Sequence, residues 1–395
     1  MIVIRNIPRI PSMLAALVLL AAMVAMGAYA QSDDSSSEES EEDGAPVFVM
    51  PRSGPFSPET IAIPNAAAIA AWARSGHSDS AAEAFRHWDD EGEIPTTCAT
   101  CHSGVGFRDY HGLDGSAAGA VDKPAPIGGV VDCDPCHNPK LAEVRQITLP
   151  SGVEHPVSGG EVACMTCHSG RSSGVAVSKA TADKAEDTPN GDLRFINPHY
   201  KVAAATNLGG YGKIGYQYPG KEYSGRFLHA KPVATCASCH DPHSLEIAQE
   251  TCLTCHRTGE PDDIRISRQS YDGSGDTGKG IKADIQANAE RLMGMMRDYA
   301  AQVAGTPMVY DGGSYPYFFA DANGDGVADE AEGRAVAYKS WSPRMLKAAY
   351  NWKLVTSDPG NFAHNPAYVL ELLYDSIEDL SGPLGVDMEE LGLLR

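Results

Sequence analysis

CASCHDPHSLEIAQETCLTCH, residues 236–256, carries two copies of Cys-x-x-Cys-His whose first cysteines, Cys236 and Cys252, are 16 positions apart. The same pattern stands at 98–102, 133–137 and 164–168, and the five copies use all ten cysteines of the chain. The spacing has a chemical meaning. Two thiols three positions apart can add to the two vinyl groups of one haem as thioethers, and the next histidine then lies under the iron as proximal ligand. A zinc ribbon uses paired Cys-x-x-Cys without needing His after each pair. A thioredoxin-like motif occurs once, in a βαβ setting. A disulfide framework would not place His five times out of five; with 13 His in the chain chance gives roughly four in a hundred million. The pattern predicts five covalent haem c groups, attached at Cys98/Cys101, Cys133/Cys136, Cys164/Cys167, Cys236/Cys239 and Cys252/Cys255. The proximal ligands are then His102, His137, His168, His240 and His256.

This reading explains the composition. The chain has 395 residues, is 43% hydrophobic but only 7% aromatic, and holds 40 Gly and 26 Pro. Its hydrophobic content excludes a wholly disordered chain. The attachment sites from Cys98 to His256 leave too little polypeptide to build a side-chain core around each haem. The haems themselves are expected to form the core, with short helices and loops around them, and such close packing suggests a path for electrons. The net charge of −21 argues against nucleic acid as a partner, because binding phosphates needs a basic face.

Outward from the haem sites, the N-terminus reads as a targeting segment. Arg5 and Arg9 precede an apolar run, Met13 to Gly27, and Ala28-Tyr29-Ala30 offers a small-x-small cleavage site. Residues 1–30 are therefore expected to be a signal peptide, since the run is shorter than the roughly 20 residues of a spanning helix. QSDDSSSEESEEDG (31–44) has no apolar surface to bury, so 31–48 reads as an acidic disordered linker. A pentahaem domain is expected over 49–262 and a helical C-terminal domain over 263–395.

Eight His remain outside the motifs: His77, His87, His111, His155, His199, His229, His243 and His364. Such a surplus supports bis-His ligation. His77 and His87 flank SDSAAEAFRHW, expected as a short helix capped by Ser78 or Asp79. His199 sits in NPHY, His229 ends GRFLHA, and His243 in DPH is too near His240 to reach the far face of the same haem, so it should serve a neighbour. His111 and His155 are in glycine-rich loops and are weaker candidates. His364, more than 100 residues beyond the last haem motif, reads as structural. Met could replace His on an iron, but Met293, Met295 and Met296 fall on a helix and read as core.

In the C-terminal third, Ile281, Ile285, Ala289, Leu292, Met296 and Tyr299 recur at spacings of three and four, the signature of an amphipathic helix. Ser342-Pro343 is a cap with a first-turn proline. Val369, Leu372, Leu373, Ile377 and Leu380 make a further apolar stripe. Between them, Asp321, Asn323, Asp325, Val327 (through its carbonyl), Asp329 and Glu332 fall at calcium-loop positions, with Gly326 at the sixth. One Ca2+ is expected at 321–332, in an EF-hand-like loop. Asp272, Ser274 and Asp276 begin a degenerate second loop.

Four segments carry a family resemblance: HSDSAAEAFRHWDDEGEIPTTCATCH (77–102), FINPHYKVAAATNLGGYG (195–212), YPGKEYSGRFLHA (218–230) and DPGNFAHNPAYVLELLYDSIEDL (358–380). With them the chain resembles the polyhaem, membrane-associated c-type cytochromes of bacteria. The resemblance implies electron transfer in the periplasm or at the outer cell surface. It also implies distal ligation by His77, His87, His199, His229 and His243. The expected fold is mainly α with much irregular loop: a multihaem cytochrome domain organised around packed haems plus a small helical domain. The expected function is an electron carrier rather than an enzyme. Its partners would be other redox proteins, a quinol-linked donor, a downstream cytochrome or a terminal acceptor, with peripheral membrane association and a homo-oligomer or filament as further options. The competing reading is a reductase of a small nitrogen or sulfur oxyanion. It needs one iron with an open site, and no Cys-x-x-Cys-Lys marks one.

Overall fold

The computed structural model describes residues 65–395. The expected leader, the acidic linker and the start of the expected haem domain lie outside them. Each Cys-x-x-Cys-His ends a short helix: α1 (Thr96–His102), α2 (Asp134–His137) and α3 (Glu161–His168), then, after α4 (Ala203–Gly212), α5 (Cys236–Cys239) and α6 (Gln249–Cys255). Helical spacing puts the cysteines, three apart, on one face. The chain leaves the helix at the histidine or one residue after it. His240 and His256 are already the extended caps of α5 and α6, and Ser103 is the extended cap of α1.

Three longer helices follow the pattern read from the apolar stripes: α7 (Ile281–Gln302), α8 (Pro343–Thr356) and, after the one-turn α9 (Asn361–His364), α10 (Pro366–Leu384). Leu292, Met296 and Tyr299 of α7, Leu346 and Tyr350 of α8, and Leu372, Leu373, Ile377 and Leu380 of α10 are all buried. Ser342 caps α8, its Oγ accepting from the Met345 amide at 3.3 Å. Met293, Met295 and Met296 pack in this core. The core does not break near residue 262. One apolar cluster runs from Phe107 through Val162, Met165, Val202 and Leu208 into α7, α8 and α10, because α9 and α10 pack directly on α4. That contact needs glycine at 209, where α4 kinks (φ 57°) and an added Cβ would lie 2.5 Å from the carbonyl oxygens of Ser224 and Gly225.

Among the described residues the strands form four two-stranded antiparallel sheets, so the fold is mainly helical with much irregular loop. The expected helix across 78–88 is shorter than its sequence suggests: only Glu83–Arg86 is helical. Ser78 does not cap it. Its Oγ donates instead to the carbonyls of Trp72 (2.7 Å) and Ser75 (3.0 Å), while Asp79 accepts from the Ala81 amide in a local turn.

The loop at 321–332 lies between strand Phe318–Ala320 and a hairpin of Glu330–Ala331 with Arg334–Ala335, not between helices. Asp321 accepts from the amides of Asp325 (3.0 Å) and Gly326 (3.0 Å), and Asn323 from Asp325 (3.1 Å). Glu332 and Gly333, both at positive φ, form the hairpin's two-residue turn. No helix-loop-helix is present, and among the described residues no group of three or more His, Cys, Asp or Glu converges to hold a metal ion. In the degenerate loop at 272–276 an ammonium takes the place a cation would fill: Lys279 reaches Asp272 at 2.5 Å and Asp284 at 3.4 Å, with Arg265 on Asp284 at 2.7 Å.

Candidate haem-binding site

The fold brings each motif histidine close to one histidine from elsewhere in the chain. His102 lies 5.8 Å from His199, His137 5.9 Å from His243, His168 6.4 Å from His77, His240 6.3 Å from His364 and His256 6.0 Å from His229, centroid to centroid. The pairing is one to one, and the five spacings agree within 0.6 Å. With a metal–imidazole bond of about 2 Å and about 1.1 Å from that nitrogen to the ring centre, two axial imidazoles on one iron put their centroids about 6.2 Å apart. The observed spacings match that distance.

Hydrogen bonds to the other ring nitrogen fix several of these rings. His102 Nδ1 meets the Ala84 carbonyl at 2.7 Å, His168 Nδ1 the Lys201 carbonyl at 2.6 Å, His240 Nδ1 the Leu245 carbonyl at 3.3 Å, and His229 Nδ1 the Ala230 carbonyl at 3.2 Å. His364 Nδ1 meets both oxygens of Asp358, at 2.9 and 2.8 Å. A carbonyl or carboxylate at Nδ1 fixes the proton there and leaves the Nε2 lone pair for a metal. Burial keeps His77, His102 and His168 in the neutral, metal-binding form by lowering their pKa, and pushes His199 down to about 4. For His364 burial also acts downward, but the Asp358 carboxylate outweighs it and the pKa is raised.

Two of these rings depend on long-range contacts. His199 takes φ +95°, with its amide on Asn197 Oδ1 at 2.9 Å. Tyr200 beside it joins Tyr310 and Tyr317 around the buried Lys353 ammonium of α8. Lys201 then donates its amide to the Ser357 carbonyl at 2.9 Å while its own carbonyl holds His168. This stretch ties the third site to the loop that carries Asp358.

Four of the five expected distal histidines, His77, His199, His229 and His243, meet a motif ring. His87 does not. It points into solvent, 62% exposed, and pairs with Glu83 one helical turn earlier at 2.8 Å. The short helix turns it away, so that Trp88 packs on His102 instead, at 5.1 Å. The fifth partner is His364, which the sequence reading assigned to structure. Distance along the chain misled there. The usable signals were its place in DPGNFAH, within a segment that resembles the family, and its being the only His after residue 256. His111 is accounted for by a 3.0 Å bond between its Nε2 and Thr166 of the third motif, and burial lowers its pKa to about 4. His155 is 3% exposed, with neither ring nitrogen bonded to protein, and the Nε of Arg226, whose charge acts on His155, is also unsatisfied. Buried polar groups seldom lack partners. Orphaned donors in this region fit a polar group from outside the polypeptide, such as a haem propionate.

The attachment cysteines also approach each other across sites. Cys101 and Cys167 lie near enough for their thiols to act on each other, as do Cys164 and Cys236. Cys136 lies within electrostatic reach of both Cys164 and Cys167, and Cys252 of Cys239. Thus the third motif neighbours the first, second and fourth, and the fourth neighbours the fifth.

The Cytochrome c552 family profile matches residues 205–382, which hold the fourth and fifth motifs and His364. The C-type polyheme cytochrome OmcB of Geobacter sulfurreducens, in strains DL-1/KN400 and PCA, is 26% identical, over 80% of this chain and 48% of the relative. OmcC of the same organism is 25% identical, over 77% of this chain and 45% of the relative. No solved structure matches the chain. The chain spans about half the length of these curated relatives. With five Cys-x-x-Cys-His motifs and five further histidines close to their rings, the chain is similar to the polyhaem c-type cytochromes.

Proposed function

We propose that the chain carries five bis-His haem c groups and passes electrons between redox partners. The haems supply a one-electron Fe(III)/Fe(II) couple; the polypeptide attaches them, fills both axial positions and sets how near they lie to each other. The observation that carries the reading is the set of five histidine pairs at 5.8–6.4 Å. In this reading His77, His199, His229, His243 and His364 are the distal ligands. With both axial positions taken at every site, no iron is left open for substrate, which favours a carrier over an oxyanion reductase.

The cysteine contacts support an order. Electrons would pass along the first, third, fourth and fifth sites, with the second joined at the third. Short gaps follow from attachment cysteines that neighbour each other, as Cys101 does Cys167 and Cys164 does Cys236. The net charge of −21 favours docking partners with a basic face. A donor such as a quinol-linked cytochrome and an acceptor beyond it, in the periplasm or at the cell surface, complete the reading. No helix among the described residues is long and apolar enough to cross a membrane.

The decisive experiment is ferric EPR with pyridine-haemochrome quantitation on holoprotein matured in a host with c-type haem assembly. Five haems per chain, all low-spin, are expected. His364→Ala should turn one haem in five high-spin, and His87→Ala none. A high-spin haem in the parent protein, or a spectral change with His87→Ala and none with His364→Ala, would refute the ligand set. Calcium at 321–332 is part of the proposal, supported by the ligand spacing and by a turn in which Asp321 and Asn323 both accept from the Asp325 amide. Calorimetric titration should find one site, lost in Asp325→Ala; no heat of binding in the parent refutes it.

A further inference from the structure

Of the five anchored rings, four rest on uncharged backbone carbonyls and His364 alone rests on a carboxylate. Asp358 is 1% exposed, and both of its oxygens lie within 2.9 Å of His364 Nδ1. Oδ1 also accepts the Gly360 amide at 3.0 Å, which aims the carboxylate. Among the described residues no Lys or Arg comes within ion-pair distance of it. Its charge therefore acts on the imidazole without a neutralising cation. Gly360 leaves room for the ring: a Cβ there would stand 2.6 Å from Cε1, 3.1 Å from Nδ1 and 3.2 Å from Nε2. The ring is held at Nδ1, which leaves Nε2 unbonded to protein, and its centroid lies 6.3 Å from that of His240.

We propose that Asp358 is a positioning and tuning residue for the haem attached at Cys236 and Cys239, holding His364 in place and lowering that haem's reduction potential relative to the other four. The inference rests on His364 being a ligand. A carboxylate accepting the Nδ1 proton draws the ring toward imidazolate, which makes Nε2 a stronger donor. A stronger, more negative ligand favours Fe(III) over Fe(II), so the midpoint falls. Hydrogen bonds to a charged acceptor are roughly twice as strong as neutral ones, and partners of metal-bound imidazoles carry effects of about tenfold or more. The fourth site would then be a low-potential step between the third and the fifth.

The test is spectropotentiometric titration of holoprotein with EPR of the same samples. Asp358→Asn keeps the shape of the acceptor and removes its charge. One of five midpoints should rise, by about tenfold in the Fe(III)/Fe(II) equilibrium, which is about 59 mV for a one-electron couple. The low-spin g values of a single haem should move with it. Asp358→Glu restores the charge and should return the midpoint toward the parent value. Five unchanged midpoints in Asp358→Asn, or a shift that Asp358→Glu fails to reverse, overturns the proposal. His364→Ala keeps the two readings apart. If it produces no high-spin haem, the ligand assignment itself has failed; if it does, the potentials of the Asp358 variants judge the tuning.

Discussion

Gly360→Ala offers a sharp test of how His364 is seated. Gly360 has φ −95° and ψ 13°, a conformation open to alanine. On backbone grounds alone, Gly→Ala at a compatible position stabilises by about 0.4–1 kcal/mol. Packing predicts the opposite. The new methyl carbon would stand 2.6 Å from His364 Cε1, 3.1 Å from Nδ1 and 3.2 Å from Nε2. Ordinary carbon contacts are about 3.5–4.0 Å, so the ring must retreat by about 1 Å. It cannot do so freely, because Asp358 holds Nδ1 at 2.8 Å and α9 packs on α4. Overpacking of this kind costs about 1–3 kcal/mol, which outweighs the backbone gain. An axial bond does not stretch by such a distance, so the expected result is one haem in five turned high-spin, with a lower unfolding midpoint. Ferric EPR and guanidinium titration of holoprotein read both. Gly382→Ala is the control: it lies in α10 and its Cβ would meet nothing within 4 Å, so it should be neutral or stabilising by up to about 1 kcal/mol. Five unperturbed low-spin haems and undiminished stability in Gly360→Ala would refute the seating argument.

Other consequences follow from the same geometry. The paired ring planes cross at 80° and 69° for His102/His199 and His229/His256 but at 8°, 28° and 36° for the other three. Parallel axial rings split the iron d orbitals strongly and crossed rings do not, so ferric EPR should show two large-g signals and three rhombic ones; five alike would contradict the ring orientations. Asn351 bonds both the amide (2.8 Å) and the carbonyl (3.0 Å) of buried Tyr216. Asn351→Leu strands both, at about 1–3 kcal/mol each, so the denaturant midpoint should fall by the equivalent of about 2–6 kcal/mol. Burial pushes Asp379 up to about 6, against the opposing charge of Arg344. A carboxyl raised on folding contributes stability below its ordinary pKa and loses it as pH rises through the folded value. Relative to Asp379→Asn, the parent protein should therefore lose stability between pH 4 and pH 7, as measured by denaturant unfolding across that range; a constant difference would exclude the effect.

Much of this protein is legible in one dimension. The ten cysteines, the five proximal histidines and the apolar stripes of α7 and α10 are local patterns. Thioether attachment needs neighbouring residues at fixed spacing, and a helix face is set by a period of 3.6. Which histidines meet the motif rings is not a local pattern, and there the structure departs from the sequence expectation. His87 stands beside Trp88 before the first motif, yet a single helical turn sends it to solvent beside Glu83. His364 stands far beyond the last motif, yet α9 packing on α4 seats it opposite His240. The calcium pattern shows the same limit, since its spacing is local whereas the loop's setting, ending in a hairpin turn at Glu332 rather than a helix, is not. By itself the sequence determined where the five Cys-x-x-Cys-His motifs stand, because that pattern is written within five consecutive positions. Only the tertiary structure decided which histidine faces which, and that Asp358 stands behind one of them, because an axial pair joins residues whose separation in the chain has no bearing on their separation in space.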